Sequence, residues 1–171
     1  MKFYLIIFLL MPIASIGQKK SGYTHFGGVA YFKSNANIFG GKIGSGIYEK
    51  SASIGFGLEF LIKDKHPSVP LYFDFKKYLS QKDDCPYISI HPGYWISNYQ
   101  IKINNTQLTQ RGGFYFSGGI GMMAKKINPG LNIELNYTMF QTRVIKSVGN
   151  NNNVIVSHPG FIGLGAGILL N

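Results

Sequence analysis

Strict alternation of apolar residues with small or polar ones constrains this chain more than any other feature. Within 52–63 the even positions read Ala52, Ile54, Phe56, Leu58, Phe60 and Ile62. The odd positions read Ser53, Gly55, Gly57, Glu59, Leu61 and Lys63, with Leu61 alone out of place. A period of two belongs to a strand with one apolar face, not to a helix. The pattern recurs in Val69, Leu71, Phe73 and Phe75, in Phe114, Phe116 and Ile120, and in Leu131, Ile133, Leu135, Tyr137 and Met139. It ends with Ile162, Leu164, Ala166, Ile168 and Leu170, each separated by one residue that is mostly Gly. Looser versions occupy 23–33, 38–49 and 87–97. Eight strands follow, and the class is all-β. Gly supplies 22 of 171 residues and interrupts nearly every window that could be helical.

The connections set the arrangement. They fall at 34–37, 50–51, 64–68, 80–86, 98–110, 126–129 and 147–153, too short for the crossover helices of a parallel sheet. The fifth is the longest, and the seventh carries the polar tip Asn150, Asn151, Asn152, Asn153. Eight antiparallel strands, short turns on one side and long loops on the other give the layout of an up-and-down transmembrane β-barrel of the outer membrane. A soluble barrel would share the alternation, but its water-facing side would be rich in Lys, Glu and Thr. Here the non-apolar face is largely Gly, Ser, Asn and Tyr, which suits a narrow lumen, while broad aliphatic and aromatic side chains suit lipid. Tyr48, Tyr78, Tyr87, Tyr94, Trp95 and Tyr99 lie near strand ends and are expected to form interfacial girdles.

The N-terminus reads as an address. Lys2 precedes the apolar stretch 3–11, and Ala14, Ser15 and Gly17 supply small residues for cleavage. Residues 1–17 are thus expected to be a secretory signal peptide, too short to span a bilayer, and 18–171 to be one barrel domain. No Cys lies near the cleavage point, so no lipoprotein anchor is expected. Export of such a barrel leads to the cell outer membrane. The single Cys85 permits no disulfide within the chain, and four scattered His residues suggest no metal; no cofactor is expected either. A net charge of +10 could suggest nucleic acid, but export and the lack of a basic–aromatic patch argue against it. Lys and Arg lie mainly near strand ends, where outer-membrane lipid and lipopolysaccharide phosphates are the expected partners.

Parity places Lys42, Glu59, Asp74, Lys76 and Glu134 on the inner side of their strands. Buried charges must pair, so these five are expected to form a lumen cluster, read as a salt-bridged plug in preference to a gated ion path. Ser89 with His91, and Ser157 with His158, could each be a nucleophile–base pair, but no acidic orienter is assigned by spacing, and no catalytic residue is named. The glycine-rich segment 40–46 lacks the helix of a phosphate loop and reads as a strand. Cys85 beside Asp84 reads as an inert turn thiol.

The stretches Pro70-Leu-Tyr-Phe-Asp-Phe-Lys-Lys-Tyr78, Pro86-Tyr-Ile-Ser-Ile-His-Pro-Gly-Tyr94, Gly112-Gly-Phe-Tyr-Phe-Ser-Gly-Gly-Ile-Gly121 and Gly130-Leu-Asn-Ile-Glu-Leu-Asn-Tyr137 resemble the small porin-like outer-membrane β-barrel proteins of Gram-negative bacteria. The resemblance implies an OmpA/OmpX-like transmembrane barrel, inserted by the outer-membrane assembly machinery. It departs from that family in ending Ile168-Leu-Leu-Asn171 where Phe or Trp is common. The expected role is structural or surface-interacting, with at most minor pore activity, in a non-enzymatic monomer. The alternatives are a lipid-A-modifying acyl hydrolase barrel and a soluble exported ligand-binding barrel.

Overall fold

Each alternating series becomes a strand because its apolar residues share one face and its small residues the other. The computed structural model describes residues 21–34, 36–49, 51–63, 66–80, 84–103, 106–124, 129–148 and 151–170. The expected signal peptide at 1–17 lies outside the described residues. The first five strands are β1 (Ser21–Lys33), β2 (Ala36–Glu49), β3 (Ala52–Lys63), β4 (His66–Tyr78) and β5 (Asp84–Ile96). Next come β6 (Asn98–Ile103), β7 (Thr106–Arg111), β8 (Phe114–Ala124) and β9 (Gly130–Phe140). The last three are β10 (Thr142–Val148), β11 (Asn151–Ser157) and β12 (Gly160–Leu170).

Eight of these strands close a barrel in the order β1-β12-β9-β8-β5-β4-β3-β2. Chain neighbours within it pair antiparallel, and β1 closes the ring against β12 with Gly27 opposite Gly167. The barrel strands have 11–14 residues, against the roughly 9–11 that a tilted strand needs to cross a bilayer.

Four further strands correct the sequence reading. Segments 98–110 and 147–153, expected as connections, contribute to two hairpins. These form a second sheet in the order β11-β10-β7-β6. That order repeats β12-β9-β8-β5, so each hairpin strand continues the barrel strand beside it in the chain. The hydrogen bonds Gly112 N–H to Ser97 O (2.8 Å), Trp95 N–H to Gly113 O (2.7 Å) and Gln141 N–H to Phe114 O (2.7 Å) carry the pairing across the junction. Half of the wall thus rises beyond the barrel as a flap on the loop side. The alternation faded there because neither face of the flap has a core to bury.

The barrel is inverted relative to a soluble one. Large apolar side chains such as Phe56, Phe60, Phe73, Ile133, Leu135 and Leu164 point outward, and the exposed set spans 36–62% of full accessibility. Inside, two aromatic clusters bracket a polar middle. Toward the loops Tyr31, Leu61, Tyr72, Trp95, Tyr115, Phe140 and Phe161 pack together, which accounts for the inward Leu61. Toward the turns Tyr23, Tyr78, Cys85, Tyr87 and Met123 pack, with Tyr48 against them. The girdle expectation therefore fails for Tyr48, Tyr78, Tyr87 and Trp95. Their parity matches the lumen-facing residues of their strands, and closeness to a strand end does not override parity. Tyr94 faces outward as expected, whereas Tyr99 lies on the flap and stacks on His66 with ring centroids 4.2 Å apart.

Glycine makes room for the lumen rings. A Cβ at Gly57 would fall within the Tyr72 ring, and one at Gly121 within the Tyr87 ring and 2.7 Å from Ile133 O. Gly121→Ala is expected to lower barrel stability by about 1–3 kcal/mol through overpacking. The midpoint of the heat-dependent gel shift in detergent reads this. An unchanged midpoint would mean that Tyr87 swings aside freely.

Candidate functional site

The polar middle of the lumen is built by strands that each present one or two ionisable or hydroxyl residues at inward positions. β2 contributes Lys42, β3 Glu59, β4 Asp74 and Lys76, β5 Ser89 and His91, and β9 Glu134. All are buried. Lys42 and Glu59 are cross-strand partners in the β2–β3 register.

Asp74 is the most heavily engaged group. Its Oδ2 lies 2.5 Å from Lys76 Nζ and accepts a hydrogen bond from Tyr23 OH at 3.1 Å. Its Oδ1 meets His91 Nε2 at 3.0 Å. The other ring nitrogen, His91 Nδ1, lies 3.8 Å from Glu134 Oε1, so the imidazole bridges the two carboxylates. Glu134 also accepts from Ser89 Oγ at 3.0 Å and Tyr87 OH at 3.1 Å, and it lies 4.0 Å from Lys42 Nζ. Glu59 accepts from Tyr31 OH at 2.7 Å, and Tyr31 OH is 3.4 Å from Tyr115 OH. Lys76 Nζ is additionally 5.7 Å and 5.8 Å from the ring centroids of Tyr23 and Tyr87.

The structure buries all five charged positions named from parity inside the barrel and links four of them, Lys42, Asp74, Lys76 and Glu134, through ion pairs and His91. Asp74 pairs with Lys76 and Glu134 with Lys42, while Glu59 is held by a tyrosine hydroxyl. Parity alone could also have named His91, Tyr23, Tyr31 and Tyr87, since each shares the inward register of its strand. Its spacing from Ser89 also makes His91 half of a nucleophile–base candidate. In the structure Ser89 donates to Glu134 and His91 engages Asp74, and both side chains are buried inside the barrel. Ser157 and His158 sit at the flap, where His158 Nε2 is 3.3 Å from Gln141 Nε2. Segment 40–46 lies within β2. Cys85 is the second residue of β5, not a turn thiol; its buried Sγ donates to Ser80 O at 2.6 Å. Among the described residues no cluster of His, Cys, Asp and Glu could hold a metal ion.

No protein-family model matches the sequence, and neither does any curated protein. Solved structures do match. The N-terminal β-barrel domain of Pseudomonas aeruginosa OprF superposes with a TM-score of 0.50 at 15% identity, covering 90% of this chain and 100% of that one. Neisserial surface protein A gives 0.55 at 12% identity over 88% and 99%. AlkL, an outer membrane protein determined in lipid bilayers, gives 0.50 at 12% over 90% of each chain. The chain has the fold of outer-membrane barrels. Together with an apolar exterior and a charged interior, that fold makes it a membrane-spanning barrel of the cell outer membrane. The same exterior is the wrong sign for a soluble ligand-binding barrel, whose outer face must meet water.

Proposed function

We propose that this protein is a closed outer-membrane barrel with a structural or surface-interaction role, conducting at most rarely. The observation that carries the reading is the stacking of the lumen. A layer of paired charges is bracketed by an aromatic cluster on the loop side and another on the turn side. An ion crossing it would have to part the Asp74–Lys76 pair and displace packed rings at both ends. Lys42, Glu59, Asp74, Lys76 and Glu134 then act as a plug, and the flap is the part available to surface partners. Outer-membrane lipid and lipopolysaccharide surround the barrel, the outer-membrane assembly machinery inserts it, and it works as a monomer.

Planar-bilayer recording tests this. The unmodified protein is expected to give small or rare openings. Replacing Lys42 and Lys76 together should give larger ones, because three carboxylates left without either ammonium repel and draw in water. Large steady conductance from the unmodified protein would overturn the plugged reading.

A further inference from the structure

The chain contains only two arginines, Arg111 and Arg143. They lie far apart in sequence, at the end of β7 and the start of β10, yet the flap register sets them directly opposite one another. Opposed residues of an antiparallel pair project to the same face, so the two guanidinium groups share one side of the flap. Asn98 extends the same row through its pairing with Arg111. Like charges in directly opposed positions destabilise a sheet unless something of opposite sign lies between them.

Nothing in the flap supplies that sign. Segments 98–111 and 142–157 contain no Asp or Glu, while Lys102 and Lys146 add further positive charge. The only carboxylate between residues 98 and 171 is Glu134, committed to the lumen. Among the described residues neither arginine makes an ion pair. Both are exposed.

Their position narrows the choice of anion. Arg111, Arg143 and Asn98 line a cleft of about 310 Å³ together with Tyr94, Trp95 and Ile96. Tyr94 and Ile96 are outward-facing residues, 57% and 49% exposed, at the loop-side limit of the apolar belt. An anion held here sits where that belt gives way to a positively charged flap, at the height of lipid headgroups. The forked donors of two arginines match phosphate oxygens bidentately, which lysines do not.

We propose that Arg111 and Arg143 form a binding site for the phosphate of a lipid headgroup, with the lipid's acyl chains lying against the outer wall below Tyr94 and Ile96. The proposal rests on the exterior facing lipid, and heat-modifiable migration of the bilayer-inserted protein reports that separately.

The test is native mass spectrometry of the protein released from detergent micelles. The micelles carry equal amounts of phosphatidic acid and phosphatidylcholine with identical acyl chains. A single phosphatidic acid adduct is expected, at least about fivefold more abundant than the phosphatidylcholine adduct. Arg111→Gln/Arg143→Gln should reduce it about fivefold or more, and Arg111→Lys/Arg143→Lys, which keeps the charge but lacks the fork, by at least about half. Both variants alter exposed side chains, and their heat-modifiable migration shows whether the barrel is folded. If only the Lys variant folds, its loss of adduct decides. Millimolar inorganic phosphate should leave the adduct in place. An adduct undiminished in the folded variants, equal binding of phosphatidylcholine, or displacement by free phosphate would each overturn the proposal.

Discussion

Replacing Lys76 by Met is expected to destabilise the folded barrel by about 3–5 kcal/mol, the range for removing one partner of a buried ion pair. Asp74 loses its 2.5 Å ammonium partner and keeps only Tyr23 and His91, in a buried layer with an aromatic cluster on either side. Lys42 is engaged with Glu134, 4.0 Å away, and makes no ion pair with Asp74. The informative comparison is Asp74→Leu/Lys76→Met, which removes both charges. It should cost less than the single change, because no buried charge is left alone. A residual cost of about 1–3 kcal/mol for each hydrogen-bonding group left unsatisfied, Tyr23 OH and His91, would remain. Urea unfolding of the protein in lipid vesicles, followed by gel migration, measures both. A single variant within about 1 kcal/mol of the parent would mean that water reaches Asp74, and with it the closed lumen would fall.

The barrel was legible in the sequence because a membrane barrel needs every wall strand to carry two incompatible faces. Segment 130–140 shows this best: Leu131, Ile133, Leu135 and Tyr137 face lipid, while Asn132, Glu134, Asn136 and Thr138 face the lumen, and the alternation holds throughout. The charged layer was legible for the same reason, since parity assigns Glu134 inward without knowledge of its partners. Which charges meet was not legible. That depends on stagger between strands distant in sequence, as when His91 on β5 reaches both Asp74 on β4 and Glu134 on β9. The flap escaped the periodicity reading because Val154, Ile155 and Val156 run consecutively and are all exposed, with no core to separate one face from the other. The arginine pair escaped it too, since Arg111 and Arg143 become neighbours only once β7 and β10 are paired. Tyr78 and Tyr87 show the opposite error. Their place at strand ends suggests an interfacial girdle, but alternation from Lys76 and Ser89 turns both inward.

Leu135→Arg is expected to cost about 2–4 kcal/mol, the depth-dependent penalty for a cationic side chain on the lipid face near the bilayer midplane. Leu135 lies at the middle of β9, opposite Ile120 on one side and Leu164 on the other, and is half exposed. With Ile133 and Tyr137 before and after it on the same face, a guanidinium there has only lipid and apolar side chains within reach. Snorkelling is hard from the centre of a strand, because the headgroups are several residues away in either direction. One residue along, the environment reverses. Asn136→Ser shortens an inward polar side chain whose neighbours include Thr138 Oγ1 at 3.4 Å, and it should cost under about 1 kcal/mol. Equilibrium unfolding from vesicles gives both values on one scale. Cysteine substitution gives a second readout: Leu135→Cys in the bilayer should resist a water-soluble maleimide, and native Cys85, fully buried, should contribute no background. Rapid labelling at 135, or equal costs for the two substitutions, would mean that β9 is shifted by one residue, which would turn Glu134 toward lipid and dissolve the charged layer as described.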